Sequence, residues 1–154
     1  MKLRGNNIYV YDELRNHNLN GDFLLGDFFL DNYSNFMDNA KIENQKKAPK
    51  LYAYEARNKN NDTKAVIAFK VISTLNEYKL GTLHFISDDE VSLIEALELL
   101  LEHQILKNCM LKITAYPKND KEAFILEHLG FVKNKIEEDN IEYKITKPIY
   151  LKGR

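Results

Sequence analysis

Cysteine is nearly missing from this chain. Cys109 stands alone among 154 residues, so no internal disulfide forms and no set of thiolates can hold a metal. It lies in the apolar run Cys109-Met110-Leu111 and reads as a small buried hydrophobe. An excess of one charge is also missing. The 22 Lys and Arg residues stand against 23 Asp and Glu, and a formal net charge of -1 supplies no global field to attract nucleic acid or an anionic membrane. No apolar stretch approaches the roughly 20 residues that cross a bilayer. Residues 1–10 carry Lys2, Arg4, Gly5, Asn6 and Asn7 in place of the apolar centre of a signal peptide. The expectation is a cytoplasmic protein with no membrane partner. Walker loops, zincin helices, nucleophile elbows, dinucleotide fingerprints and internal repeats are absent. The four histidines, His17, His84, His103 and His128, show no ligand spacing, and no metal is expected.

What is present suits one domain over residues 1–154, since 44% of the residues are hydrophobic. Ile8 to Tyr11 reads as a first strand. From Phe23 to Ile42, apolar residues recur at spacings near three and four, which predicts an amphipathic helix interrupted at Gly26. Leu51 to Ala56 and Ala65 to Ile72 read as a hairpin around the polar stretch 57–62, the second strand apolar enough to be buried on both faces. Lys79 to Ile86 is a third strand. The period then changes to that of a helix from Val91 to Leu106, with Val91, Ile94, Leu97, Leu101 and Ile105 in one stripe, and Ser87 with Glu90 fits a capping box at its start. Cys109 to Tyr116 is a strand, residues 120–129 a shorter helix ending at Gly130, and 131–137 and 141–146 a strand pair. Residues 148–154 read as an edge segment or tail. The fold class is α/β (α+β): a mixed, mostly antiparallel central sheet flanked by helices, with one parallel strand-helix-strand crossover from Leu83 to Leu111.

This order of elements, with Ile113-Thr114-Ala115-Tyr116-Pro117-Lys118-Asn119 followed after a short helix by Glu127-His128-Leu129-Gly130-Phe131, resembles the GNAT N-acetyltransferase superfamily. The resemblance implies a sheet that splays between its fourth and fifth strands, with acetyl-CoA or another acyl-CoA entering the gap. It implies transfer of an acyl group to an amine acceptor, carried by a small molecule or a protein. The donor would be held by backbone at Phe85, Ile86 and Ser87, and Asn119 stands where relatives often hold Asn. A helix N-terminus after a strand is also an anion site on physical grounds.

Two family positions differ. The phosphate turn, Gln or Arg, two residues, Gly, one residue, Gly or Ala, falls on Val91, Ile94 and Ala96, of which only Ala96 fits. Between Leu80 and Leu106 there is no Lys or Arg, whereas Asp88, Asp89, Glu90, Glu95, Glu98 and Glu102 are acidic. A phosphate about 4 Å from such an acid meets repulsion of roughly 1 kcal/mol, comparable with what the helix dipole offers. The tyrosine that protonates the departing thiolate in relatives falls on Leu126, which carries no proton. Tyr116, one strand end away, is the substitute acid, and His84 and Glu55 are rival general bases. The alternative to each is an ordinary structural residue. Tyr52 and Tyr54 near Arg57, Lys59 and Lys64 read as strand formers, and no nucleic-acid partner is expected. The chain is thus a diverged acyltransferase or a catalytically inactive relative serving as an interaction or regulatory module. A homodimer stays open.

Overall fold

The computed structural model describes residues 1–15, 19, 21–26, 33–137 and 139–153. Its elements run β1 (Lys2–Arg4), β2 (Ile8–Tyr11), β3 (Phe23–Leu25), α1 (Tyr33–Glu43), β4 (Leu51–Asn58), β5 (Thr63–Leu75), β6 (Tyr78–Ser87), α2 (Glu90–Glu102), β7 (Met110–Ala115), α3 (Asp120–His128), β8 (Val132–Ile136), β9 (Ile141–Thr146) and α4 (Lys147–Lys152). The strands form one sheet in the order β1-β2-β4-β5-β6-β7-β9-β8, with β3 attached to β6 off that path. Among the described residues every pairing is antiparallel except β6 with β7. This is the mixed sheet that the sequence predicts, with its parallel crossover through α2.

Each face of the sheet has its own core. On one, Ile67, Phe69, Leu83 and Phe85 pack against Leu93, Ala96, Leu97, Leu100 and Leu101 of α2. On the other, Ala53, Val66 and Ala68 pack against Phe36, Met37 and Ala40 of α1. β5 is therefore buried on both faces from Ala65 to Phe69, as its unbroken apolar run implies. Beyond Lys70 it leaves the core, and Ile72 is 62% exposed.

Four expectations change. Phe23 does not open a helix: Phe23–Leu25 is strand β3, and helix α1 runs over Tyr33–Glu43. The buried stripe of α2 is turned away from Val91, which is 68% exposed, toward Leu93 and Ala96. Residues 147–152 are helix α4, started by Pro148 in its first turn and capped by the Thr146 hydroxyl, which accepts from the Ile149 N–H at 3.3 Å. A side-chain cap backed by a carboxylate sits on α3 instead of α2. There Asn119 accepts from the Glu122 N–H at 2.9 Å, and the Glu122 carboxylate accepts from the Lys118 N–H at 3.2 Å. Ser87 is drawn into the sheet, its hydroxyl donating to the Lys64 carbonyl, and α2 starts at Asp89, whose carboxylate accepts from the Ser92 hydroxyl.

After α2 the helix widens into a π-helical turn, His103–Lys107. Gln104 is buried there; its amide oxygen accepts from the Tyr54 hydroxyl and from the Asn108 amide, both at 2.6 Å.

Candidate functional site

The sheet opens where β6 and β7 part. Their parallel register runs from Lys79 with Met110 to Thr82 with Thr114, and there the pairing stops, although β6 continues to Ser87. Thr82 and Thr114 share one face, their hydroxyls 3.1 Å apart. One repeat further along that face are His84 on β6 and Tyr116 just past β7, so the two stand on opposite lips of the opening. Ile86 follows on the same face as His84. Phe85 and Ser87 point to the α2 side and are fully buried. The fold thus brings His84, Tyr116, Phe85, Ile86 and Ser87 to one place.

The opening is occupied by the chain itself. One edge of β6 pairs with β5 along its whole length, so β3 must lie along the other, the edge that β7 has left. Phe23 stands opposite Ser87, Leu24 opposite Ile86 and Leu25 opposite Phe85. Phe23 and Leu25 point into the α2-side core, where Ile125 and Leu126 of α3 also pack. Glycines flank the strand for steric reasons. A Cβ on Gly21 would lie 2.0 Å from the Ser87 carbonyl oxygen, and one on Gly26 would lie 2.0 Å from Nδ1 of His84. Gly26 also has a φ of +90, which disfavours any side chain. His84 is half-buried and packs against it.

Tyr116 is 42% exposed and donates to Glu142 at 2.6 Å. That hydrogen bond, with a smaller contribution from burial, raises its pKa above the ordinary phenol value and keeps it protonated at neutral pH. The same contact, joined by one from Asn134 at 2.6 Å, lowers the pKa of Glu142. Asn119 lies at the start of α3, beside the β7 lip, and is committed to the helix cap.

Glu55 lies elsewhere. It sits two strands from β6, level with Val66 and Ile86, and is 1% exposed. Its carboxylate accepts from Arg15 Nε at 3.0 Å, the Arg15 N–H at 2.9 Å, Arg57 Nε at 3.1 Å and the Thr63 hydroxyl. Burial alone would raise its pKa, but the bonds from Arg57, Thr63 and Arg15 outweigh that and hold it below the ordinary carboxylate value. With its lone pairs taken up, Glu55 anchors the segment that precedes β3. Sequence spacing contained no sign of this clamp, because Arg15 and Thr63 are far apart along the chain.

The start of α2 keeps the acidic character read from its sequence, though several acids serve the fold. Glu95 accepts from the Asn7 N–H at 2.8 Å, Asp88 lies 3.9 Å from Lys64, and Glu98 lies 3.8 Å from His128. Leu126 is fully buried. Among the described residues no group of three His, Cys, Asp or Glu side chains is placed to hold a metal ion, and no helix is long and apolar enough to cross a membrane.

No family profile matches the chain, and no curated protein matches it in sequence. Solved structures do match. Ribosomal-protein-S5-alanine acetyltransferase from Vibrio fischeri superposes with a TM-score of 0.64 at 14% identity, over 96% of this chain and 97% of that one. A GNAT-family acetyltransferase from Bacillus anthracis gives 0.62 at 12% identity, covering 96% and 99% of the two chains. RimJ of Mycobacterium smegmatis, in complex with CoA-disulfide, gives 0.62 at 13% identity over 74% of this chain, which spans only 60% of that neighbour. At these identities the likeness speaks for architecture, and the fold of this chain is that of the GNAT acetyltransferases.

Proposed function

We propose that the protein is a GNAT-type N-acyltransferase that passes an acyl group from acyl-CoA to an amine on a small molecule or a protein. The observation that carries this reading is the parting of β6 and β7 beyond Thr82 and Thr114. In this reading the amides of the donor's pantetheine arm pair with the backbone of Phe85 and Ile86, and its phosphates approach the α2 start near Ser87. Asn119 borders the arm from α3. His84 takes a proton from the attacking amine, whose nitrogen bonds to the acyl carbon as the carbon–sulfur bond breaks. Tyr116 supplies the proton that the thiolate needs. Glu55 acts indirectly, by anchoring Arg15.

A second reading, a GNAT-fold protein without catalysis that serves interaction or regulation, draws support from buried Leu126 and from Ile94 and the acids around the α2 start. Calorimetric titration with acetyl-CoA separates the two. Saturable micromolar binding, followed by release of free thiol with a panel of amines that includes a polyamine and an alanine-ended peptide, is the expected outcome. No binding at millimolar donor, in the unmodified chain and in Gly21→Ala alike, removes the transferase reading.

A further inference from the structure

We infer that β3 is an internal competitor for the acyl-donor edge of β6, so that the protein takes up its donor only when Phe23–Leu25 leaves that edge. The inference rests on the transferase reading of the opening. It goes further by assigning a regulatory role to a strand that forms no part of the catalytic groups.

Three observations converge on it. The first is register: Leu24 and Leu25 pair with Ile86 and Phe85, the residues whose outer edge an extended amide-bearing ligand would use. An edge strand offers one row of N–H and C=O groups on its free side, so two partners cannot pair with it at once. The second is the modest hold. β3 has three residues, and among the described residues it pairs only with β6, whereas β6 keeps β5 on its other side along its full length. Among the described residues its packing against α3 is apolar, with Lys121 at 6.0 Å from the Phe23 ring. The third is the pair of glycines. Gly21 and Gly26 bracket β3 and permit its close approach to Ser87 and His84, so a single Cβ at either end opposes docking. Seating β3 therefore also seats Gly26 against His84, covering the base together with the donor edge.

Population arithmetic makes the consequence measurable. A ligand that binds only the open form has an apparent affinity reduced by the fraction of molecules that are open. A change confined to β3 that shifts this fraction shifts affinity by the same factor.

The test uses the full chain. In Leu24→Cys with Ile86→Cys, the two positions lie directly opposite in the antiparallel register, so oxidation ties β3 to β6 and reduction frees it. In Gly21→Ala, the added Cβ pushes β3 away from Ser87. Acetyl-CoA is titrated into each, and amide hydrogen exchange is followed in parallel. The expected result is binding by the reduced pair, weakening by roughly tenfold or more on oxidation, and tightening by roughly threefold or more in Gly21→Ala. Saturating acetyl-CoA should also raise exchange at Phe23–Leu25 while Phe85–Ser87 stays protected. Equal binding by the oxidised and reduced forms overturns the inference and leaves the transferase reading standing. Absence of binding in every form, Gly21→Ala included, overturns the transferase reading and takes this inference with it.

Discussion

The outer edge of β6 has two halves with different partners. From Lys79 to Thr82 it is held by β7, a six-residue strand that belongs to the crossover and to the sheet beyond it. From Phe85 to Ser87 it is held by β3, three residues bracketed by glycine. The same strand thus has one partner built into the fold and one that resembles a bound peptide. The contrast teaches that filling a binding edge and building a fold use the same hydrogen bonds, and differ in how much else depends on them.

Substitutions sharpen this contrast in order of size. Ile113 on β7 is fully buried, and Ile113→Ala should destabilise the protein by about 4 kcal/mol in denaturant titration. A much smaller loss would mean that the β7 half is no firmer than the β3 half. Next comes the clamp that tethers the approach to β3. Glu55→Ala leaves two arginines without their partner and should cost about 3 kcal/mol. Its pH dependence has a definite sign. The folded-state pKa of Glu55 lies below the ordinary value of 4.5, so the clamp's contribution is complete above that value and is lost as pH falls through the lowered one. Stability of the wild type should therefore drop on acidification more steeply than that of Glu55→Gln; parallel acid profiles would show that the clamp contributes nothing.

Leu25→Ala, also at a residue that is 1% exposed, should cost only about 2 kcal/mol, because a short strand next to an opening can collapse around the gap. A loss equal to that of Ile113→Ala would place β3 among the permanent elements. The smallest effect is expected at the neighbouring lip. Asn119→Ala removes the α3 cap and should cost about 1 kcal/mol, visible as a lower thermal midpoint.

The difference between the halves also explains what the sequence made legible. β4, β5, β6 and α2 carry their apolar pattern locally, and all appear near the predicted positions. The parallel β6–β7 pair follows from their order. β3 does not: Phe23 and Leu24, with the apolar residues beyond Gly26, satisfy a helical spacing, and the strand forms where Phe85–Ser87 lie alongside. The cap misassignment has the same origin. Ser87 followed by Glu90 is a sound local signal, yet the Lys64 carbonyl on β5 claims the Ser87 hydroxyl. At the candidate site, His84 and Tyr116 were recognisable by residue type, whereas the end of the β6–β7 register at Thr82 and Thr114 shows only in the fold. The Glu55 clamp joins neighbouring Arg57 to Thr63 on the next strand and to Arg15 far back in the chain, and no spacing rule brings Arg15 there.

The wide turn at His103–Lys107 makes the crossover sensitive to residue count. A π-helical turn accommodates an extra residue without breaking the helix, and the chain then enters β7 in a fixed phase. In a strand, a slip of one position exchanges the two faces. Deleting one residue from the turn would therefore do more than shorten a helix: it would turn Ile113 and Ala115 out of the core and carry Tyr116 to the face opposite His84. The phase of the second lip is thus set in a turn that precedes the whole of β7.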